Sequence, residues 1–305
     1  MTPWTASDIP SQRGRTAVVT GTGGLGFHTA LALAHAKAKV ILAGRNPSKG
    51  AAAALRIRQS VPDSDVAFEA MDLADLGSIG VFVERLGRSH ERLDILINNA
   101  AVMNPPRRLE TADGFELQFG TNYLGHFALT ARLLPLLRRS DAPRVVSLSS
   151  IAARSGTISF DDLQAQRAYQ PMRAYGQSKL ACLLFALELQ RRSDAAGWGI
   201  RSIAAHPGIS RTELLPNGAG AWSTAGLVRR CLWFLFQPAA QGALPTLFAA
   251  TASQARAGAY YGPARLGETR GLPAPAKVPA QALDESVAAR LWMESQALTG
   301  QRWES

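Results

Sequence analysis

Cysteine is nearly absent from this 305-residue chain: Cys182 and Cys231 are the only two, and they make no metal or redox spacing. That excludes a disulfide scaffold and a cysteine zinc site, and a reducing compartment is expected. The five histidines (28, 35, 90, 126 and 206) do not cluster, so no metal centre is expected. The opening MTPWTASDIPSQRGR has no apolar run of a secretory leader. The longest uncharged stretch, Cys231 to Ala255, is broken by Pro238, Gly242 and Pro245 and makes a poor membrane span. A cytoplasmic protein is expected. Lysine is scarce too: only five of the 33 basic residues are lysine, so the net charge of +10 rests on arginine. An arginine excess can mark nucleic-acid contact. Here the arginines are scattered as pairs (Arg107-Arg108, Arg138-Arg139, Arg191-Arg192, Arg229-Arg230) rather than gathered in a run, and a solvated surface is expected instead.

What the chain does have is 47% hydrophobic residues in an alternating order of short and long runs. Short aliphatic or β-branched runs fall at 17–20, 39–43, 66–71, 93–97, 144–148 and 200–204. Alanine- and leucine-rich helical stretches separate them at 26–37, 48–60, 75–88, 113–138 and 173–194. Short apolar strands between amphipathic helices predict a parallel sheet covered on both faces. No composition break divides the chain, so one doubly wound α/β domain over residues 1–305 is expected. Loops at 104–106, 216–220 and 271–279, rich in proline and glycine, are read as excursions from it.

The first strand runs straight into glycines: AVVTGTGGLGFHTALALA, residues 17–34. A strand ending at Thr20, a glycine turn and a helix starting near Gly26 place backbone N–H groups and a helix dipole against an anion. Gly21-x-Gly23-x-x-Gly26 fits the dinucleotide fingerprint. A methyltransferase loop and a plain glycine-rich turn share the pattern. A second absence bears on the cofactor. An NAD site uses an acidic residue about 20 positions on to hold the ribose 2′-hydroxyl, yet no Asp or Glu lies between Asp8 and Asp63. The second strand ends in Arg45, whose guanidinium suits a 2′-phosphate; an exposed loop arginine is the plain alternative. NADP(H) is favoured over NAD(H).

Further motifs follow. INNAAVM (97–103) places paired asparagines after an aliphatic strand, suited to bracing and cofactor contact. In TNYLGHF (121–127), Asn122 interrupts an apolar helical pattern and implies a special hydrogen bond. RVVSLSS (144–150) ends a strand in serines, and AYGQSKLACLLFALELQRR (174–192) opens a long helix. Tyr175 and Lys179 share one face of it. A phenol alone carries protons poorly at neutral pH. A lysine ammonium about 4 Å away, at an effective dielectric near 20, stabilises the phenolate by roughly 4 kcal/mol. Tyr169 competes, with Arg173 four residues on, but arginine is not a compact, deprotonable point charge. His126 and His206 are read as structural.

The set TGTGGLG (20–26), NNAA (98–101), Asn122, Ser150, YGQSK (175–179) and HPG (206–208) resembles the short-chain dehydrogenase/reductase family, from about Arg15 to about Gly300. The chain is most similar to its retinol-dehydrogenase-like branch in TNYLGHFALT (121–130), DDLQAQRAY (161–169), SKLACLLFALELQRR (178–192), AAHPGISRTEL (204–214), YYGP (260–263) and ARLWMESQALTG (289–300). Two departures stand out: the glycine loop is one residue shorter than the family's, and Ala101 replaces a glycine.

The resemblance implies a Rossmann fold and a site in which Tyr175 is the general acid/base and Lys179 holds the nicotinamide ribose. Ser150, preferred to Ser149, would orient the substrate oxygen, and Asn122 would hold a water of the proton relay. It implies cofactor contacts at Gly21, Gly23, Gly24, Leu25, Gly26, Arg45, Asp72, Leu73, Asn99, Ala100, Tyr175, Lys179, Pro207, Gly208 and Thr212, with NADP(H) as cofactor. The implied substrate is a small hydrophobic aldehyde, ketone or alcohol. A homodimer is compatible with this reading, and neither nucleic acid nor a membrane is an expected partner. Residues 209–240, with Trp233, Phe234 and Phe236 behind flexible glycines, are expected to cover the substrate. A cofactor-binding sensor without turnover is the competing function.

Overall fold

The computed structural model describes residues 3–210 and 237–303. Eight strands form one sheet, in the order β3-β2-β1-β4-β5-β6-β7-β8: β1 Thr16–Thr20, β2 Lys39–Gly44, β3 Val66–Ala70, β4 Ile95–Asn98, β5 Arg144–Leu148, β6 Arg201–Ala205, β7 Tyr260–Arg265 and β8 Arg270–Pro275. All neighbours are parallel except β7 and β8. The helices are α1 Gly24–His35, α2 Pro47–Ser60, α3 Leu76–Ser89, the short turn α4 Leu117–Phe119, α5 Gly125–Leu137, α6 Pro171–Ala196, α7 Ala239–Gly242, α8 Leu244–Thr251 and α9 Glu285–Thr299.

The strands read as unbroken apolar runs because both sheet faces are covered. Alternate side chains go to opposite faces. Val18, Ile41, Leu96 and Val145 join the core under α3, α5, α6 and α9. Val19, Val40, Leu42, Ile97 and Val146 join the core under α1, α2 and α8. The doubly wound α/β architecture is therefore the one expected, and all six expected strands are present.

Three details differ from the expectations. Residues 271–279 were expected to loop, but Arg270–Pro275 pairs antiparallel with β7 as the edge strand. An edge strand tolerates Pro273 and Pro275 because its outer side needs no ladder donors. The strand β7 itself was not expected. The helix expected over 113–138 begins only at Leu117 and widens to a π turn at Gly120–Leu124 before α5. There the Glu116 carboxylate accepts the N–H groups of Gln118 (2.9 Å) and Phe119 (2.7 Å) and caps the start.

Strand order reverses between β1 and β4. A crevice opens at the carboxyl ends of strands at such a point, and ligands of open α/β sheets bind there. The glycine loop after β1 and Asn99 after β4 both stand at that crevice.

Candidate active site

The glycine loop is shaped by close approach. Gly21 lies at φ +91° and Gly24 at +49°, backbone that side chains rarely adopt. A Cβ on Gly26 would strike the Gly21 carbonyl oxygen and the Asn99 amide. Gly23 is the N-cap of α1, and the first bond within the helix runs from the Phe27 N–H to Gly23 O. The amides of Gly24, Leu25 and Gly26 therefore precede the helix ladder and face the crevice end. The Leu25 side chain is buried in the core, so only its main chain is left for a cofactor. Gly26→Ala is expected to weaken dinucleotide binding by about tenfold or more, because the loop must open to admit a methyl group; fluorescence titration would measure it.

Thr20 is the hub beneath this loop, and nothing in the sequence reading singled it out. Its hydroxyl accepts the N–H groups of Asn99 and Ala100, both at 2.9 Å, and meets His126 Nε2 at 2.9 Å. Asn99 in turn gives its side-chain amide to the Thr20 carbonyl (2.6 Å). The His126 Nδ1 lies 2.9 Å from the Asn122 carbonyl, which can only accept. So Nδ1 carries the proton and Nε2 accepts from Thr20. Burial lowers the His126 pKa to about 4, and the ring is neutral at pH 7. One chain of hydrogen bonds thus joins the glycine loop to the π turn.

Asn122 is fully buried on that turn. Its amide nitrogen donates to Val102 O (3.0 Å) and to Ser178 Oγ (2.9 Å), and its Oδ1 accepts the Val102 N–H (2.8 Å). Its main-chain carbonyl accepts from His126 Nδ1 at 2.9 Å and from Cys182 Sγ at 3.1 Å. What Asn122 visibly holds is the loop after β4 and the helix that carries Tyr175.

That helix is stitched to the end of β5. Ser149 Oγ donates to Lys179 O (2.7 Å), and Lys179 Nζ donates to Leu148 O (3.0 Å). Ser149 is thereby committed to structure. Ser150 follows it, caps the 3-10 turn Ile151–Ser155 and accepts the Ala152 N–H. Lys179 Nζ stands 5.9 Å from the centre of the Tyr175 ring, as spacing by one helical turn predicts. The rival Tyr169 is a strap: its hydroxyl donates to Pro105 O (3.0 Å) and accepts from Gln118. Burial and the nearby Glu116 push its pKa up to about 12.

Beside the glycine loop a cavity of about 310 Å³ is lined by Gly21, Thr22, Gly44, Arg45, Asn46, Lys49, Asp72, Leu73, Ala100 and Val102, among others. Lys49 and Asn46 were not anticipated. The signal was present: Asn46 caps α2 by accepting the Lys49 N–H (2.9 Å), and Pro47 stands at the first helical position. An Asn-Pro helix start sets Lys49 one turn into α2, on the cavity side with Arg45. Asp72, whose Oδ1 also accepts the Ala74 N–H (2.9 Å), is the one carboxylate among these lining residues. Pro207 and Gly208 form a turn after β6, with Gly208 at φ +62°. Thr212 and most of the expected substrate cover, residues 211–236, lie outside the described residues.

The chain is similar to known proteins along most of its length. Residues 15–219 match the family described as short chain dehydrogenase. Over 293 residues the chain is 42% identical to retinol dehydrogenase 13 of Homo sapiens, covering 94% of this chain and 85% of that one. It is 39% identical over 300 residues to polyprenol dehydrogenase of Mus musculus, with 96% and 86% covered. A crystal structure of an uncharacterized protein from Mycobacterium paratuberculosis superposes with a TM-score of 0.83 at 40% identity, covering 100% of both chains.

Proposed function

The chain belongs to the short-chain dehydrogenase family, and from that premise we propose that it is an NADP(H)-dependent oxidoreductase of a hydrophobic aldehyde, ketone or alcohol. The family's reaction is NAD(P)-dependent interconversion of an alcohol and a carbonyl. The reading of the active site has one main support: α6, which carries Tyr175 and Lys179, is bonded to Leu148 and Ser149 at the end of β5, next to Ser150. The residues fit a dinucleotide: the cradle of Gly21 and Gly26 has no room for a Cβ, and the helix amides behind it point to a phosphate.

When bound, the nicotinamide supplies or accepts the hydride. Tyr175 passes a proton to or from the substrate oxygen. Lys179, fixed by the Leu148 carbonyl, stabilises the charge on that phenol and stands ready for a ribose hydroxyl. Ser150 orients the substrate oxygen, and Asn122 braces the loop and helix that form the walls. The names of the similar proteins, retinol and polyprenol dehydrogenases, favour a long apolar substrate. All-trans-retinal with NADPH is the first assay, with glyceraldehyde as the polar control.

Arg45 and Lys49 at one cavity wall support the choice of NADP(H). A charge-assisted hydrogen bond to phosphate contributes about 1.5–3 kcal/mol, so Arg45→Ala should weaken NADPH by about tenfold or more and leave NADH nearly unchanged. Lys49→Ala should act in the same direction, less strongly, since lysine is a point charge without a fork. Wild-type affinities for NADPH and NADH that differ by less than about threefold would overturn the cofactor choice.

A further inference from the structure

Three charged or polar groups outside the proposed chemistry converge behind the turn of Pro207 and Gly208. Glu268, in the β7–β8 hairpin loop, accepts on one carboxylate oxygen from both Arg154 Nη2 (2.6 Å) and His206 Nε2 (2.9 Å). Its other oxygen accepts the Lys277 N–H (2.9 Å). His206 Nδ1 accepts the Gly208 N–H (3.2 Å), so Nε2 carries the hydrogen that points at Glu268. The ring is 1% exposed and lies so near Gly262 that a Cβ there would strike it. Burial holds its pKa near 4 despite the carboxylate.

The contacts reach both walls of the site. Arg154 sits four residues after Ser150, in the 3-10 turn that Ser150 caps, and also donates to Gly267 O (3.1 Å). The hairpin loop presses on the other turn: Ile209 N–H donates to Thr269 O (2.8 Å), and a Cβ on Gly208 would strike that same carbonyl. Glu268 itself takes φ +69°, backbone strained for a non-glycine residue. Such strain is retained when surrounding contacts over-determine it.

We propose that Glu268 is a positioning residue that ties the Ser150 turn, through Arg154, to the Pro207–Gly208 turn, through His206, and so sets the width of the site. Its catalytic consequence rests on the oxidoreductase reading above. Its structural core, the anchoring of the Gly208 amide, does not. A serine that orients the substrate and a turn expected at the cofactor must keep a fixed separation, and a 1 Å error in such placement can cost on the order of a hundredfold in rate.

The test compares Glu268→Ala, Glu268→Gln and Arg154→Met. Amide exchange at Gly208 and Ile209 by NMR, kcat, NADPH affinity and melting temperature are read for each. Glu268→Ala should speed Gly208 exchange and lower kcat, each by about tenfold or more, with little change in melting temperature. Glu268→Gln should recover part of both: its amide oxygen can still accept from Arg154 and His206, while its NH2 cannot accept the Lys277 N–H. Should Glu268→Ala fail to fold, Arg154→Met carries the test: it should lower kcat while Gly208 stays protected, because the His206 contact remains. Unchanged Gly208 exchange in Glu268→Ala, or unchanged kcat in Arg154→Met, would overturn the proposal. A wild-type protein that neither binds NADPH nor turns over retinal would refute the cofactor and substrate reading, while the exchange comparison, which needs no cofactor, still decides the clamp.

Discussion

Tyr175→Phe is expected to lower kcat by about 10³-fold while NADPH binds within about threefold of wild type. The phenylalanine keeps the ring and its packing on a site only 7% exposed and deletes only the proton carrier. A large loss in kcat without a loss in affinity is the signature of a group that acts in the transition state. Tyr169→Phe is the control. Its hydroxyl links Pro105 and Gln118, so its loss loosens the loop over residues 102–106 and should cost about threefold or less in kcat, with a lower melting temperature. Stopped-flow turnover of retinal and fluorescence titration of NADPH separate the two. If Tyr169→Phe abolishes turnover and Tyr175→Phe does not, the site is misplaced. If neither variant differs from a wild type that binds NADPH without turnover, the chain is the cofactor-binding sensor.

Much of this was legible in the sequence because it is local. Strand β5 is found over 144–148, as the run RVVSL predicts, and the Tyr175–Lys179 pair follows from helical spacing alone. What was not legible depends on distant partners. Thr20 looks like any strand-end threonine; its role comes from Asn99, Ala100 and His126, which lie between 79 and 106 residues away. The β8 strand was missed because prolines argue against a strand, and only its place at the sheet edge reconciles them. The π turn is invisible to a 3.6-residue pattern, and the Leu73 carbonyl that packs against Gly125 at its end comes from far along the chain. The bond that ties Ser149 Oγ to the Lys179 carbonyl spans 30 residues, so no local pattern shows it.

The buried histidines make the fold acid-sensitive in a defined window. His126 and His206 each titrate near 4 in the fold and near 6.5 when unfolded. Between those values the unfolded chain binds more protons, so stability is full above about pH 6.5 and falls as pH drops toward 4. At pH 5 each histidine costs about 2 kcal/mol by this linkage, together a large part of the 5–15 kcal/mol typical of a domain. Carboxylates act over the lower end of the range, Glu268 and Glu116 among them. Glu268, held below its ordinary value chiefly by the Lys277 N–H and the His206 and Arg154 contacts, adds to the loss only under about pH 4.5. Glu116, raised by burial, works the other way. Urea unfolding at pH 7 and pH 5 should therefore differ by about 4 kcal/mol or more in wild type, since burial also lowers the pKa of His28 and of His90. His126→Gln gives up the Thr20 and Asn122 bonds, so it should be less stable at pH 7 by about 1–3 kcal/mol. It should also lose about 2 kcal/mol less than wild type on going to pH 5, because one of the deeply buried titrating rings is gone. A pH difference in His126→Gln equal to that of wild type would mean that the ring takes up its proton as readily in the folded chain as in the unfolded one, and a buried His126 that stays neutral at pH 5 would be wrong.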